Sequence, residues 1–164
     1  MSDLPYRPNV GAVLFNRQGL VLVARRADMV NAEGPAGGWQ LPQGGIDEGE
    51  DPRIAVFREL EEEIGTAKAE IVGEHPDWLT YDLPPRLLGI AWAGRYRGQR
   101  QRWFAMRFTG QDSDIRLDLD PHPEFAAWRW TPLPDLPALA VPFKRSIYEV
   151  LATSFARFAT ATMA

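Results

Sequence analysis

The spacing of apolar and polar residues predicts strands and turns in the first part of the chain. Residues 10–15 and 20–24 are β-rich runs, separated by a segment that contains the turn formers Asn16 and Gly19. This arrangement is typical of a β-hairpin. Residues 28–38 consist of turn formers without periodicity, which predicts an exposed loop.

Further strands are predicted downstream. Residues 71–73 and 87–92 are short apolar runs that are consistent with strands. Residues 102–109 alternate between two faces, which is the period of a half-buried strand. A turn is expected at 98–99, and residues 126–130 predict one more short strand.

Two helices are predicted by apolar residues three or four positions apart. Asp51 suits an N-cap, Pro52 the first helical position and Gly65 the helix end. The apolar stripes are Ile54, Phe57, Leu60 and Ile64 in the first helix, and Phe143, Ile147, Val150, Leu151, Phe155 and Phe158 in a closing helix. Strands between two helices indicate a mixed α/β layered domain.

Composition narrows the class of protein. A chain of 164 residues that is 45% apolar is expected to form one domain over 1–164, with a loose tail in its last few residues. Its net charge of −4 argues against coating nucleic acid or membrane by bulk attraction. The absence of cysteine excludes a thiolate zinc site and favours a reducing cytoplasm. No apolar run is long enough to span a membrane, and a monomer or weak dimer is expected.

Four glutamates lie within five positions, at 59, 61, 62 and 63. On a helix, Glu59, Glu62 and Glu63 project within an arc of about 100°. Like charges at this spacing repel by about 0.2–0.5 kcal/mol per pair. The three acids therefore either face bulk water or hold a cation, and oxygen ligands favour a hard ion such as Mg²⁺ or Mn²⁺.

The residues around the acids favour the cation. Gly44 and Gly45 allow close approach of the backbone to a ligand, and Glu50 adds a further acid. Arg58 lies four residues before Glu62 and is expected to pair with it, which would fix the side chains of the acidic cluster.

The segment 44–66 resembles the signature of the Nudix hydrolases. It contains Gly44, five residues, Glu50, seven residues and then Arg58-Glu59-Leu60-Glu61-Glu62-Glu63-Ile64-Gly65. The last position departs from the signature, because Thr66 stands where an aliphatic residue is usual, in a slot that looks structural. The resemblance implies an α/β/α sandwich with a mixed β-sheet between helices, and Mg²⁺-dependent hydrolysis of phosphoanhydride bonds.

Residues 44–66 are called the Nudix box below. Segments outside this box resemble one branch of the family, the bacterial RNA 5′-pyrophosphohydrolases and the similar dinucleoside polyphosphate hydrolases. These segments are residues 6–11, 24–26, 39–45, 98–104, 123–125, 128–130 and 143–145. The first interpretation is conversion of RNA 5′-triphosphate or 5′-diphosphate ends to monophosphates, a step of mRNA decay. The alternative substrate is diadenosine tetraphosphate. A non-catalytic nucleotide- or RNA-sensing module on the same fold is disfavoured, because every glutamate of the box is present.

The resemblance also implies roles for individual residues. Two or three ions of Mg²⁺, with Mn²⁺ as a substitute, would be held by Glu59, Glu62, Glu63, Glu124 and the carbonyl of Gly44. Glu59, Glu63 or Glu124 would take the proton of the attacking water. Gly45, Glu50, Arg58 and Gly65 would support the box structurally.

Substrate binding is expected from basic and aromatic residues: Arg7, Arg26, Tyr81, Val141, Phe143 and Lys144. The resemblance implies that Arg26, Val141 and Phe143 grip a base and that Arg7 and Lys144 contact phosphates. Tryptophans 39, 103, 128 and 130 are expected in the core or the sheet, and Arg95, Arg97 and Arg100 on a solvated face.

Overall fold

The computed structural model describes residues 3–27 and 38–161. The predicted loop at 28–38, except Gly38, and the end of the predicted tail at 162–164 lie outside the described residues. The strands are β1 (Tyr6–Phe15), β2 (Val21–Arg26), β3 (Trp39–Gln40), β4 (Gln43–Gly45), β5 (Ala69–Glu74), β6 (Leu79–Asp82), β7 (Gly98–Phe108) and β8 (Phe125–Thr131). The helices are α1 (Pro52–Ile64), α2 (Leu136–Leu139) and α3 (Arg145–Ser154). No helix within these ranges is both long enough and apolar enough to cross a membrane.

The described strands form one mixed sheet. Its central order is β3-β2-β1-β7-β5, with β4 paired to β1, β6 to β7 and β8 to β2. The parallel pair is β1 with β7, which runs in register from Tyr6 opposite Gly98 to Phe15 opposite Arg107. The other pairs are antiparallel. The predicted hairpin of β1 and β2 is confirmed, with both strands longer at their outer ends.

Helices cover the two faces of the sheet, because its central strands carry apolar residues on both sides. One core layer joins Leu14 and Met106 of the sheet to Leu60 of α1. The other layer joins Trp103 of the sheet to Leu151 of α3. The predicted α/β/α arrangement is therefore confirmed, with the sheet between the helices.

Helix α1 begins and ends where the sequence predicts. The Asp51 side chain accepts a hydrogen bond of 2.8 Å from the Arg53 N–H, Pro52 is the first helical residue, and Gly65 takes the left-handed conformation with φ of 80°. The predicted buried stripe is wrong at Ile54, which is 63% exposed. The first turn of α1 buries Ala55 and Val56 in the layer with Leu60 and Ile64, so Ile54 lies on the opposite, solvent-facing side of the helix.

Two predictions between β6 and β7 are wrong. Residues 87–92 form turns instead of a strand, and the turn at Ala91–Gly94 has Trp92 and Ala93 in the left-handed conformation. Gly98 and Gln99, predicted as a turn, are the buried first residues of β7. Gly98 serves strand pairing here, because a Cβ atom at this position would overlap the Tyr81 carbonyl of β6.

The closing helix is shorter than its apolar stripe. Helix α3 ends at Ser154, and a 3₁₀ turn at Ala156–Phe158 follows. Phe155 and Phe158 still pack in the core, with the Phe158 ring 6.2 Å from that of Phe15. Val150, predicted on the stripe, is exposed.

Candidate active site

Three of the four predicted metal-binding acids, Glu59, Glu63 and Glu124, line a polar cavity of about 320 Å³, and the fourth, Glu62, does not line it. Helix α1 contributes Glu59 and Glu63, strand β4 contributes Gly44, and the residue before β8 contributes Glu124. The cavity also contains Arg7, Asn9, Arg26, Gln43, Gly45, Tyr81, Trp92, Gln99 and Lys144. Residues far apart in the chain thus converge on one small space.

Glu63 is the most enclosed of these acids. Its carboxylate is buried, one oxygen accepts a 3.0 Å hydrogen bond from the Gln43 N–H, and the other has no partner among the described residues. Burial raises the pKa of Glu63 well above its ordinary value, and the nearby charges of Glu124 and Glu59 raise it further. A buried carboxylate with an unsatisfied oxygen is costly unless a cation pairs with it.

The Glu59 carboxylate lies directly against the backbone of Gly44. A Cβ atom at Gly44 would overlap this carboxylate, so a larger residue here would displace Glu59 from its observed position. Burial also raises the pKa of Glu59, although Arg58 donates a 2.9 Å hydrogen bond to it and opposes the shift. The Glu59 carboxylate is therefore held between the Arg58 guanidinium and the Gly44 backbone.

Arg58 organises the box. Its guanidinium donates to both carboxylate oxygens of Glu50 at 2.7 and 2.8 Å and to the carbonyl of Gly45 at 2.9 Å. The predicted contact with Glu62 is present but longer, at 3.3 Å. The Arg58 hydrogen bond lowers the pKa of Glu50 to about 2, so this acid stays ionised. Arg58 thus anchors the loop before the helix more firmly than it holds Glu62.

Glu62 and Glu124 are the more open acids. The Glu62 side chain is 55% exposed and contacts Arg58. Glu124 reaches the cavity because β8 pairs with β2, where the Ala27 N–H donates to the Glu124 carbonyl at 2.9 Å. Its carboxylate lies 3.9 Å from the Arg26 guanidinium. The short segment before β8 therefore adds an acid to the cavity that Glu59 and Glu63 of α1 line.

Replacing Glu124 with alanine is expected to lower kcat about 10- to 100-fold and to change substrate Kd by less than about tenfold. The reason is that Glu124 lines the same cavity as Glu59 and Glu63, so we expect it to act on the reacting phosphate while the basic residues supply most of the binding. Steady-state kinetics and equilibrium binding would measure the two quantities. Glu149→Ala, an exposed acid on α3, is the control, and full activity of Glu124→Ala would return Glu124 to a structural role.

The residues of this cavity fit a divalent cation. Within residues 3–27 and 38–161 no three acids already surround a common point. The donors are nevertheless the oxygen atoms that hard divalent ions prefer, and Glu63 presents a buried oxygen without a partner. Burial, together with the neighbouring acids, raises the pKa values of Glu59 and Glu63, so a bound cation would stabilise their ionised forms.

A larger cavity of about 740 Å³ adjoins the polar one, and its lining includes Leu83, Leu87, Val141 and Phe143. The rings of Tyr81 and Phe143 are 5.6 Å apart, and the Lys144 ammonium lies 5.4 Å from the Tyr81 ring. Burial, with Arg26 nearby, lowers the pKa of Lys144 to about 8. A polyphosphate bound here would favour the charged form of Lys144.

Every predicted substrate residue lines one or both cavities. Val141 and Phe143 line the larger one, Arg7 lines the polar one, and the remaining three, Arg26, Tyr81 and Lys144, line both. Arg7 donates a 2.8 Å hydrogen bond to Gln99, whose amide donates to the Tyr81 hydroxyl at 2.6 Å. The six predicted residues are therefore brought together.

Sequence reasoning missed the amides that position the acids. Gln101 donates to Gln43 at 2.6 Å and to Asn9 at 3.0 Å, and Gln43 in turn holds Glu63 through its backbone. Alternation along β1 and β7 places Asn9, Gln99 and Gln101 on one face, and that was the available signal. It was obscured by the predicted turn at 98–99. Trp92 was missed because its segment was predicted as a strand.

Comparison with known proteins agrees with this geometry. A family profile described as NUDIX domain matches residues 5–151. The chain belongs to the Nudix family. It is similar to the RNA pyrophosphohydrolase of Gluconacetobacter diazotrophicus, with 64% identity over 96% of this chain and 95% of that protein. The protein of the same name from Acidiphilium cryptum is 63% identical over 96% and 94%. These relatives confirm the predicted branch of the family.

Solved structures of lower identity agree with the fold. The Escherichia coli dihydroneopterin triphosphate pyrophosphohydrolase has a TM-score of 0.63 at 18% identity, and covers 92% of this chain and 99% of its own. A Caenorhabditis elegans Ap4A hydrolase complex has a TM-score of 0.61 at 21% identity, covering 92% and 98%. This Nudix hydrolase therefore has the fold of its family, whose members generally need a divalent metal ion.

Proposed function

We propose that this enzyme hydrolyses the 5′-triphosphate or 5′-diphosphate end of RNA to a 5′-monophosphate. The main support is a pair of adjoining cavities. One is lined by acids and the other by aromatic residues, and basic residues line both. The first space suits phosphates and metal ions, and the second suits the nucleosides that follow. Relatives named RNA pyrophosphohydrolase at up to 64% identity over nearly the whole chain support the same substrate.

The cation of this proposal is Mg²⁺, with Mn²⁺ as a substitute, bound as two or three ions. Glu59, Glu63 and Glu124 of the cavity would hold them, together with the Gly44 carbonyl and the exposed Glu62, which lies one turn of α1 from Glu59. When bound, divalent ions neutralise phosphate charge and make water a better nucleophile at neutral pH. Supporting this set are the unsatisfied oxygen of Glu63 and the contact of Glu59 with Gly44.

The side chains divide the remaining work. Arg7, Arg26 and Lys144 face the polar cavity and would bind the phosphate oxygens on which charge develops. Glu59, Glu63 and Glu124 are the candidates to accept the proton of the attacking water. Each lies in the cavity, and burial raises the pKa of the first two, which improves a carboxylate as a base.

A second candidate substrate is diadenosine tetraphosphate. The larger cavity favours it, because 740 Å³ exceeds what one base fills and the Tyr81 and Phe143 rings lie close together there. The mechanism at the acids would be the same.

We further propose that the enzyme acts in the cytoplasm, in mRNA decay, as a monomer or weak dimer.

A parallel measurement of kcat/KM tests the substrate. The substrates to compare are 5′-triphosphorylated RNA, diadenosine tetraphosphate and simple nucleoside triphosphates, each with Mg²⁺. We expect the RNA to be the best substrate. Fast turnover of diadenosine tetraphosphate without cleavage of the RNA would establish the alternative instead.

Phe143→Ala is expected to impair RNA and dinucleotide substrates far more than inorganic polyphosphate, whereas Lys144→Ala, which removes a phosphate contact, should impair inorganic polyphosphate as well. Losing one stacked base lowers kcat/KM roughly 5- to 150-fold. Kinetics on the three substrate classes would measure the effect. Val150→Ala, at an exposed apolar position on α3, is the control. If Phe143→Ala lost as much activity on inorganic polyphosphate as on RNA, this would argue against a base contact.

A further inference from the structure

The indole of Trp92 lies where the two cavities meet. Among the described residues, four side chains line both cavities, namely Arg26, Tyr81, Lys144 and Trp92. The first three carry charge or a hydroxyl that suits phosphates. These four residues form the neck between the two cavities. Trp92 is the residue of the neck to which the proposed chemistry gives no role, and it adds a large aromatic surface there.

The backbone holds Trp92 in an unusual conformation. Trp92 has φ of 53° and ψ of 38°, and Ala93 has φ of 57° and ψ of 29°. A bulky residue rarely adopts this left-handed region, and residues held there cluster at ligand sites. The segment before β7 therefore holds the indole at the neck against the ordinary preference of the backbone.

Contacts on the indole fix its position. The Arg7 guanidinium lies 5.5 Å from the ring centroid, within the range of a cation–π contact. Tyr96 packs its ring edge against Trp92 at 6.2 Å, with an interplanar angle of 79°. Arg7 is itself oriented by Gln99 at 2.8 Å. Trp92 is thus coupled to a basic residue of the phosphate cavity.

The two aromatic positions lie in a definite order along the substrate path. Trp92 lines both cavities, whereas Phe143 lines the larger one alone. A nucleoside bonded directly to the cleaved phosphates must pass the neck. The next nucleoside of an RNA chain lies one phosphodiester farther from the acids, in the larger cavity.

We propose that Trp92 contacts the nucleoside nearest the cleaved phosphates by stacking, and that Phe143 contacts the nucleoside after it. Trp92 is therefore a specificity-determining residue, which separates substrates with a nucleoside from bare polyphosphate. This assignment rests on the proposed nucleotide substrate.

Equilibrium binding of three non-cleavable ligands tests the assignment, by calorimetry in the presence of Mg²⁺. The ligands are methylenediphosphonate, α,β-methylene-ADP and the dinucleotide ApA with the same methylene-bridged diphosphate at its 5′ end. Trp92→Ala is expected to weaken the binding of α,β-methylene-ADP about 5- to 150-fold and to leave the binding of methylenediphosphonate unchanged. Phe143→Ala should weaken only the dinucleotide.

Further variants separate stacking from structure. Trp92→Phe should keep most of the affinity, whereas Trp92→Leu, which keeps the bulk without an aromatic face, should lose it. Trp78→Ala is the control, because Arg100 also lies over this exposed indole at 4.4 Å and Trp78 lines neither cavity. Unchanged binding of α,β-methylene-ADP to Trp92→Ala or Trp92→Leu, or equal weakening of all three ligands, would overturn the assignment. Since turnover is not measured, an error in the proposed RNA activity would leave these results intact.

Discussion

Replacement of Glu63 with glutamine is expected to lower kcat by at least about 100-fold and to stabilise the metal-free protein. The carboxylate is buried with one unsatisfied oxygen and a raised pKa, so its charge destabilises the fold when no cation is present. Glutamine keeps an oxygen for the Gln43 N–H and removes the charge. Activity and stability should therefore change in opposite directions.

The pH dependence follows from the sign of the shift. An acid whose pKa is higher in the folded state destabilises the fold as the pH rises above its ordinary value of 4.5. The advantage of Glu63→Gln should be small at acid pH and largest at neutral pH. Melting temperatures of both proteins, across pH and without metal, would measure it.

Added Mg²⁺ should reverse this ranking. The ion binds the native state of the wild type and raises its stability by about 2.7 kcal/mol at 100 times Kd. Glu63→Gln should gain much less. Glu61→Gln, a change of an exposed neighbour on α1, is the control and should behave as wild type. Unaltered turnover by Glu63→Gln, or in wild type treated with EDTA, would refute the metal mechanism.

Gly44→Ala is expected to lower kcat by about 100-fold or more. Its new methyl group would overlap the Glu59 carboxylate, so the acid must leave its observed position beside the Gly44 backbone. Steady-state kinetics would show the loss, and a melting curve would show whether the protein remains folded.

Gly49→Ala provides the matched comparison. Gly49 has φ of 77° and no atom within 4 Å of an added Cβ, so alanine there strains the backbone without touching the acids. Stability should fall by about 1–2 kcal/mol, with kcat retained. Near-normal kcat in Gly44→Ala would show that the close contact between Gly44 and Glu59 is dispensable.

Local sequence patterns were sufficient to predict α1 and its acids. An N-cap at Asp51, Pro52 and the terminal Gly65 each act within one turn, so their effect is readable without the fold. The pairing of Arg58 with Glu62 was predicted for the same reason, since both lie on one helix. The shorter bonds to Glu50 and Gly45 depend on how the preceding loop folds back, which no helical spacing encodes.

Predictions failed where tertiary pairing decides the structure. Gly98 and Gln99 have the composition of a turn, but pairing with β1 and β6 makes them a strand. The apolar residues of 87–92 suggested a strand, yet the segment turns and lines a cavity with Trp92. Glu124 was predicted as a site residue only from the family resemblance. Its position depends on strand pairing between β2 and β8, which local sequence does not encode.

The anchoring of Arg58 bears on how the protein matures in the cell. Its two short bonds to Glu50 and its bond to the Gly45 carbonyl hold the loop and the helix together without any ion. A zinc finger, in contrast, is unfolded until its metal arrives. We expect newly synthesised chains to reach the native fold when cations are scarce and to gain activity on loading. Metal supply would then control the rate of catalysis and leave the amount of folded enzyme unchanged.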